Sequence, residues 1–597
     1  MPTREDDEPV WADESVWSDP PEDITAGLST EDLERAIART EVTGAIRADE
    51  VDWYRRAVFY EVMVRSFRDS NGDGEGDFAG LTTRLDYLQW LGVDCLWLPP
   101  FYPSPLADGG YDVADFTDVL PELGTLAEFT AFVVTAHDRG LRLIVDFVMN
   151  HTSSQHPWFQ ASRRDPDGPY GDFYVWRDAP DAYLDARVIF IDTQDSNWSY
   201  DHVRGQWYFH RFFAHQPDLN WDNPAVQREM FKAIRFWLDL GIDGFRLDAV
   251  PYLVEQYGTS CENLPGTHAV LKALRAMVDA DYPGRILLCE ANQWPQDVVD
   301  YFGEGDECHM AFHFPVMPRL FMALKQNSRD AISDILACTP EIPLGTQWAT
   351  FLRNHDELTL EMVTEDDREY MWAQYAPQRR MRLNLGIRRR LASLVDNDPF
   401  QLKLLHGLLL SLPGSPVLYY GDEIGMGDNI WLNDRDGVRT PMQWSNGPGA
   451  GFSEAPPEQF YLPVVDHPFF GPDTVNVEDQ LGDSSSMLMW VRHMLSIRRR
   501  YPVFGRGAFT DLGGENHAVL SFLREDHRHA VLCVNNLTGT DQEFRLELPR
   551  FAGVAARLLL RDDVPVPIDE DGWLHFSLHQ HGFAWILLHG PELEVSP

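Results

Sequence analysis

Short apolar runs recur along the chain from residue 57 onward. They are AVFYEVMV (57–64), VDCLWL (93–98), LRLIVDFV (141–148), IDGFRLD (242–248), RILLCE (285–290), HMAFHF (309–314), ATFLRNHD (349–356) and SPVLYYGDE (415–423). Nearly continuous apolar runs mark strands buried on both faces, as in a parallel sheet. Between them, residues 81–92, 126–140 and 224–241 carry apolar positions at helical spacing. Eight strands alternating with helices predict an α/β fold of the (β/α)8 TIM barrel type, spanning 51–500. The interval after the third strand is too long for one helix, so residues 149–222 are expected to form an inserted lid subdomain over the barrel mouth. Residues 357–400 make a second excursion, after strand seven. Past residue 502 the pattern changes to alternating strands such as AVLSFL (518–523) and AVLCVNN (530–536). That predicts a C-terminal antiparallel β-sandwich over 505–597.

Charge narrows the partners. The chain of 597 residues carries 94 acidic and 49 basic side chains, a net charge of −45. Such a surface repels phosphate, so neither nucleic acid nor an anionic membrane is expected as a partner. Residues 1–50 hold 15 acids and 4 arginines and read as an acidic extension, partly disordered, with helical potential at 31–45. Six scattered cysteines give neither a disulfide framework nor a zinc spacing. The first twenty residues hold no apolar run, and no stretch of 18 apolar residues exists, so a cytoplasmic setting is expected.

The chemistry gathers at the strand ends, where barrel enzymes place it. Strand four ends at Asp248, strand five at Glu290 and strand seven at Asp356, with Arg246 two residues before Asp248 and with His151 and His355 beside two strand ends. Residues i and i+2 of a strand share a face, so Arg246 and Asp248 both point inward. Two carboxyl groups across a mouth suit glycosidic chemistry, one attacking the anomeric carbon and one protonating the leaving oxygen. Arg246 is expected to keep Asp248 ionised, and Glu290, among acids, to titrate near ~6–7.

DFVMNH (146–151), GFRLDAV (244–250), the acid of LLCEANQW (287–294) and FLRNHD (351–356) resemble, in order, four signature segments of the α-amylase superfamily, glycoside hydrolase family 13. QPDLNW (216–221) resembles a fifth. The resemblance implies a retaining mechanism with Asp248 as nucleophile, Glu290 as general acid/base and Asp356 gripping the sugar's 2- and 3-hydroxyls. Arg246, His151 and His355 would line the subsite of the attacked glucose. DGGYDVADF (108–116) is similar to the segment that closes this subsite in members acting on short α-glucosides. It implies Tyr111 stacked on the glucose and Asp108 on its 4- and 6-hydroxyls, with Arg439 of DRDGVRTPMQW (434–444) paired to Asp108. EANQWPQDVV (290–299), GDECHMAFHFPVMPRLFMAL (305–324) and NHDELTLEMVTEDDREYM (354–371) resemble the family's trehalose-synthase group, which interconverts maltose and trehalose. There Asn292, and more loosely Gln194, would touch the second glucose. A hydrolytic α-glucosidase on short α-glucosides is the competing expectation.

Structural calcium is the one cofactor expected, with no organic cofactor. Asp69, Asn71, Asp73 and Asp77 space oxygen ligands two apart around Gly74, as hard-cation loops do, although Gly80 stands where an EF-hand has its last Glu. The alternative for this loop is an Asx-turn cluster without metal. The family pattern implies a second site, from Asn150 and Asp218 with the carbonyls of Tyr252 and Leu253 and with Glu255. A homo-oligomer is expected, and family context suggests a maltose kinase as a partner.

Overall fold

A computed structural model describes residues 50–561 and 564–588. The acidic extension, including its helical stretch at 31–45, lies outside the described residues except for Glu50. Eight parallel strands close a barrel: β1 (Phe59–Glu61), β2 (Cys95–Leu98), β3 (Arg142–Val148), β4 (Gly244–Asp248), β5 (Ile286–Cys289), β6 (Met310–Phe312), β7 (Gln347–Phe351) and β8 (Ser415–Tyr419). Each pairs with its neighbours in chain order, and β1 closes the ring on β8, with Phe59 opposite Val417. All eight predicted strands exist, but shorter than the apolar runs that announce them. Glu290 lies one residue past β5 and Asp356 five past β7, on the loops that form the mouth.

Local signals set the helices. Leu126–Asp138 starts with a reciprocal cap in which the Thr125 hydroxyl accepts from the Glu128 amide and Glu128 accepts from the Thr125 amide. Pro224–Asp239 starts with Pro at its first position behind an Asn223 cap. The stretch expected as one helix over 81–92 is two, Phe78–Thr82 and Leu85–Leu91, because Thr83 turns its hydroxyl back to the Gly80 carbonyl at 2.6 Å and Arg84 leaves the helical conformation. At the head of β4, Gly244 is required by the neighbouring strand: a Cβ there would sit 2.3 Å from the Ile286 carbonyl oxygen.

Two excursions cover the barrel mouth. Within 149–222, a three-stranded antiparallel sheet (Trp176–Arg177, Gln206–Phe209, Trp198–Asp201) is tied to the barrel by a bridge between His151 and Asp218. Within 357–400, a small sheet (Leu358–Thr359, Gly386–Ile387, Arg382–Leu383) flanks the helix Glu365–Tyr375.

The C-terminal region packs a six-stranded antiparallel sheet against a two-stranded one. Strand Ala530–Asn536 shows how it is joined to the barrel. Val531 and Cys533 face the core shared with the barrel, whereas Leu532 and Val534 fill the sandwich interior. Phe583–Leu588 repeats that alternation. Gly407, on the barrel helix Pro399–Ser411, lets the Phe583 ring approach within 2.8 Å of where a Cβ would stand. The sandwich is thus fused to the barrel through one continuous apolar core.

Candidate active site

β3 and β4 pair with Asp146 opposite Arg246 and Val148 opposite Asp248, so the inward charges fall at two successive levels. Arg246, 1% exposed, is the hub. One nitrogen lies 2.6 Å from Asp146 Oδ1 and 2.5 Å from Asp248 Oδ1, and the other lies 2.7 Å from Glu290 Oε1. Its guanidinium rests over the rings of Trp97 and Tyr111, at 5.5 and 5.6 Å. A single planar fork therefore holds both of the facing carboxyl groups.

Burial raises both acids. Asp248 is pushed up to about 6 by loss of water, with Arg246 pulling it back. Glu290 rises to about 7, again chiefly by burial and despite Arg246, with Asp248 and Asp356 adding repulsion. At neutral pH Asp248 is mostly ionised and Glu290 is divided between its two forms. The Glu290 position is also fixed through the backbone: Ala249 adopts φ 52°, and its N–H donates to Glu290 Oε2 at 3.1 Å. A non-glycine residue in the left-handed region directly after Asp248 is strain held at the site of chemistry.

Asp356 is held well below the carboxylate range. Burial opposes its charge, but His355, Arg435 and Arg439 outweigh it. The His355 ring is stacked on Tyr111 at 5.3 Å, with its Nε2 3.1 Å from Asp356 Oδ2. His151 is neutral, pushed down to about 3 by burial, and contacts the Tyr111 carbonyl. The cavity above these groups has a volume of about 130 Å³ and is lined by Asp108, Tyr111, His151, Asp248, Glu290, Asn292 and Asp356, all expected from the sequence. Asn292 lines the cavity and donates to Thr359 Oγ1 at 3.2 Å, while its own Oδ1 is buried with no hydrogen-bond partner.

Two expectations are corrected. Asp108 pairs with Arg435 at 2.7 Å, not with Arg439. Arg439 instead reaches Asp356 at 3.1 Å and the His355 carbonyl at 2.9 Å, its path to the wall set by packing against Gly109. Gln194 is not among the residues lining the cavity; its side-chain amide donates to the Thr193 carbonyl at 3.0 Å. Sequence reasoning also passed over lining residues contributed by the excursions, namely Phe190, Phe212, Glu357, Thr359, Glu361 and Asn384. Arg435 was visible as the first arginine of DRDGVRTPMQW, four residues before Arg439; nothing in the spacing says which of the two meets Asp108.

The insert and the excursion meet over this cavity. Arg187 of the insert pairs with Glu361 at 2.6 Å and Glu262 at 2.9 Å, and donates to Tyr252 Oη at 3.0 Å. Asp192 accepts from Arg379 at 2.7 Å and from the Asn384 amide at 2.9 Å.

The two calcium expectations differ in their surroundings. Asn150 Oδ1, Asp218 Oδ2 and Glu255 Oε1 are all buried without a hydrogen-bond partner. Burial pushes Asp218 up to about 7, and burial with the Asp218 charge drives Glu255 well above its ordinary value. Buried polar oxygens are normally satisfied, so three orphans together fit a cation. Tyr252 and Leu253 lie on the same buried turn. In the 69–77 loop, by contrast, Asp69 accepts from the amides of Asn71, Gly72 and Gly74, and Asp77 from Ser70 and Gly80. Asn71 and Asp73 bond each other. That loop closes on its own donors and gives no such argument for an ion. Among the described residues, no group of three or more His, Cys, Asp or Glu is placed to hold a metal, and no helix is long and apolar enough to cross a membrane.

Two family models cover almost all of the described chain. The alpha amylase catalytic domain matches residues 61–384 and 387–507, and the maltogenic amylase C-terminal domain matches 509–585. A trehalose synthase of Pimelobacter sp. is 59% identical over 94% of this chain and 100% of its own length. The trehalose synthase/amylase of Mycobacterium tuberculosis is 60% identical over 93% of each chain. The crystal structure of a trehalulose synthase from Pseudomonas mesoacidophila superposes with a TM-score of 0.73 at 29% identity, covering 90% of this chain and 99% of that one.

Proposed function

The chain belongs to the α-amylase family and, within it, to the trehalose synthases; from that premise we propose that it interconverts maltose and trehalose by intramolecular glucosyl transfer through a covalent β-glucosyl-enzyme. The observation that carries the mechanism is the shared guanidinium of Arg246 under Asp248 and Glu290. Carboxyl groups gripped by one fork are brought near each other, which favours the short separation of retaining pairs, ~5–5.5 Å, over the wider gap an inverting pair keeps for water.

Asp248, ionised, attacks C1 of the bound glucose while Glu290 gives its proton to the bridging oxygen. The released glucose turns over, Glu290 takes the proton of its anomeric hydroxyl, and that oxygen attacks C1, breaking the C1–Asp248 bond and releasing the carboxylate, to give the α,α-1,1 linkage. Asp356 and its cationic neighbours bind the sugar hydroxyls as charge develops on the ring. The Asp108–Arg435 pair supports a blind wall behind this glucose, which favours disaccharides over longer chains. Retention of the second glucose decides between isomerisation and hydrolysis, because water competes for the same intermediate. The Arg187–Glu361 and Asp192–Arg379 clasps support the insert and excursion as the cover that excludes water, with minor leakage to free glucose. Structural calcium held by Asn150, Asp218, Glu255 and the carbonyls of Tyr252 and Leu253 belongs to the same reading; it would neutralise the insert–barrel junction and takes no part in the chemistry.

Asp248→Ala tests the covalent step. It should abolish trehalose formation and glucose release together, to below about 1% of the parent, since both pass through one intermediate. Loss of one activity with survival of the other would refute a shared intermediate.

A further inference from the structure

Glu61 is the last residue of β1, the single acid in an otherwise apolar run, and is fully buried. It pairs with neither catalytic acid. Its Oε1 receives the Nδ1 of His355 in a very short contact and the His355 amide at 3.4 Å. On the opposite side of that ring, Nε2 lies 2.7 Å from Tyr111 Oη and 3.1 Å from Asp356 Oδ2. Tyr111 in turn donates to Asp146 Oδ2 at 2.9 Å, so its oxygen is free to accept from His355. Asp146 Oδ1 then meets Arg246, which holds Asp248 and Glu290. The direction of every proton in this chain follows from its ends. An imidazole with an oxygen acceptor at each nitrogen is satisfied only when both nitrogens carry hydrogen.

We propose that Glu61 is a positioning residue of the glucose subsite: it holds His355 as an imidazolium and so orients the Tyr111–Asp146–Arg246 chain beneath the reacting carboxyl groups. The inference rests on the reading of the cavity as a glucoside-cleaving site. A cationic His355 places a fixed N–H beside Asp356, where the sugar's hydroxyls are to be gripped, and keeps Asp356 a pure acceptor. Other charged and titratable groups facing the pair are Arg439, on the His355 carbonyl, with Tyr419 and Asp422 beside Glu61. In agreement with the geometry, His355 is raised to about 9: burial opposes its charge, and Asp356 and Glu61 overcome it. That pairing is fully present below the ordinary histidine value and is lost as pH rises through about 9.

The test begins with the unaltered protein carrying ¹⁵N-histidine, with His355 assigned by the loss of its signals in His355→Asn. At about pH 8 a histidine without such partners is neutral. The expected result is an imidazolium at His355 in the parent and a neutral ring in Glu61→Gln, which keeps shape and hydrogen-bonding capacity but not charge. The kcat/KM of Glu61→Gln on maltose should fall about tenfold at neutral pH, and its optimum should move to lower pH, where solution protons restore the charge. Glu61→Asp should keep the parent's optimum at reduced kcat. A neutral His355 in the parent at about pH 8 overturns the proposal, as does a charged ring in both proteins or an optimum that does not move. Should Glu61→Gln not fold, the parent spectrum and Glu61→Asp decide. The spectra need no turnover, so a charged His355 in a protein inactive on maltose would refute the reaction assigned and leave the role of Glu61 intact.

Discussion

Asp108 Oδ1 lies 2.7 Å from Arg435 Nη2, and the same guanidinium reaches Asp356 at 3.0 Å through its other nitrogen. One arginine thus ties Asp108 to Asp356 across the lining of the cavity. Removing one partner of a buried pair leaves an uncompensated charge, at a cost of about 3–5 kcal/mol. Arg435→Ala should therefore lower kcat/KM for maltose by at least about 100-fold. Arg439→Ala, which leaves the Asp108 pair intact, should cost less; an equal or larger loss would return the wall to Arg439.

The pH profile follows from the two reacting acids. On the proposed mechanism Asp248 must be ionised to attack, so activity should be lost as pH falls through about 6. On the same mechanism Glu290 must carry a proton to give, so activity should be lost as pH rises through about 7. A narrow bell in kcat/KM with its maximum between these values is expected, its limbs belonging to the coupled pair. A flat profile from pH about 5 to about 9 would contradict the assignment.

Retention of the cleaved glucose is assigned to the cover. Arg187→Ala removes the clasps to Glu361 and Glu262, and Asn292→Ala removes an amide side chain that lines the cavity. Each should raise the share of maltose that ends as free glucose, several-fold, more than it lowers total cleavage. A constant ratio of trehalose to glucose at a reduced total rate would show that these groups do not control retention.

Most of the catalytic constellation was legible because its signals are local. Arg246 and Asp248 share a strand face, and the other acids follow strands whose apolar runs mark them. What the sequence withheld depends on contacts between distant segments. Arg435 and Arg439 are equally basic and four residues apart, and only the packing of Arg439 on Gly109 separates their partners. Gln194 sits on the correct insert but is not among the residues lining the cavity, a matter of loop path with no periodicity to announce it. The lone acid of β1 was a readable anomaly, an ionisable group within a buried strand, whose meaning needs a histidine 294 residues away.

Calcium should act on stability. Ionising Asp218, which burial raises to about 7 from an ordinary value of 3.8, weakens the metal-free fold as pH rises between those values. Bound calcium would remove that penalty. Exhaustive chelation should lower the melting temperature, and more at pH about 8 than at about 5. Restoring calcium at 100 times its Kd should recover about 2.7 kcal/mol. Identical melting with and without chelator, together with metal analysis finding no calcium, would remove the ion from the account.

The central claim is that the glucose cut from maltose is the glucose that receives the glucosyl group. Incubating the protein with unlabelled maltose and an excess of ¹³C-glucose, and following label in trehalose by mass spectrometry at early times, tests it directly. The account predicts trehalose as the main product, nearly free of label. Trehalose labelled in proportion to the external glucose would mean that the cleaved glucose leaves the site, and glucose as the main product would make the protein a hydrolase.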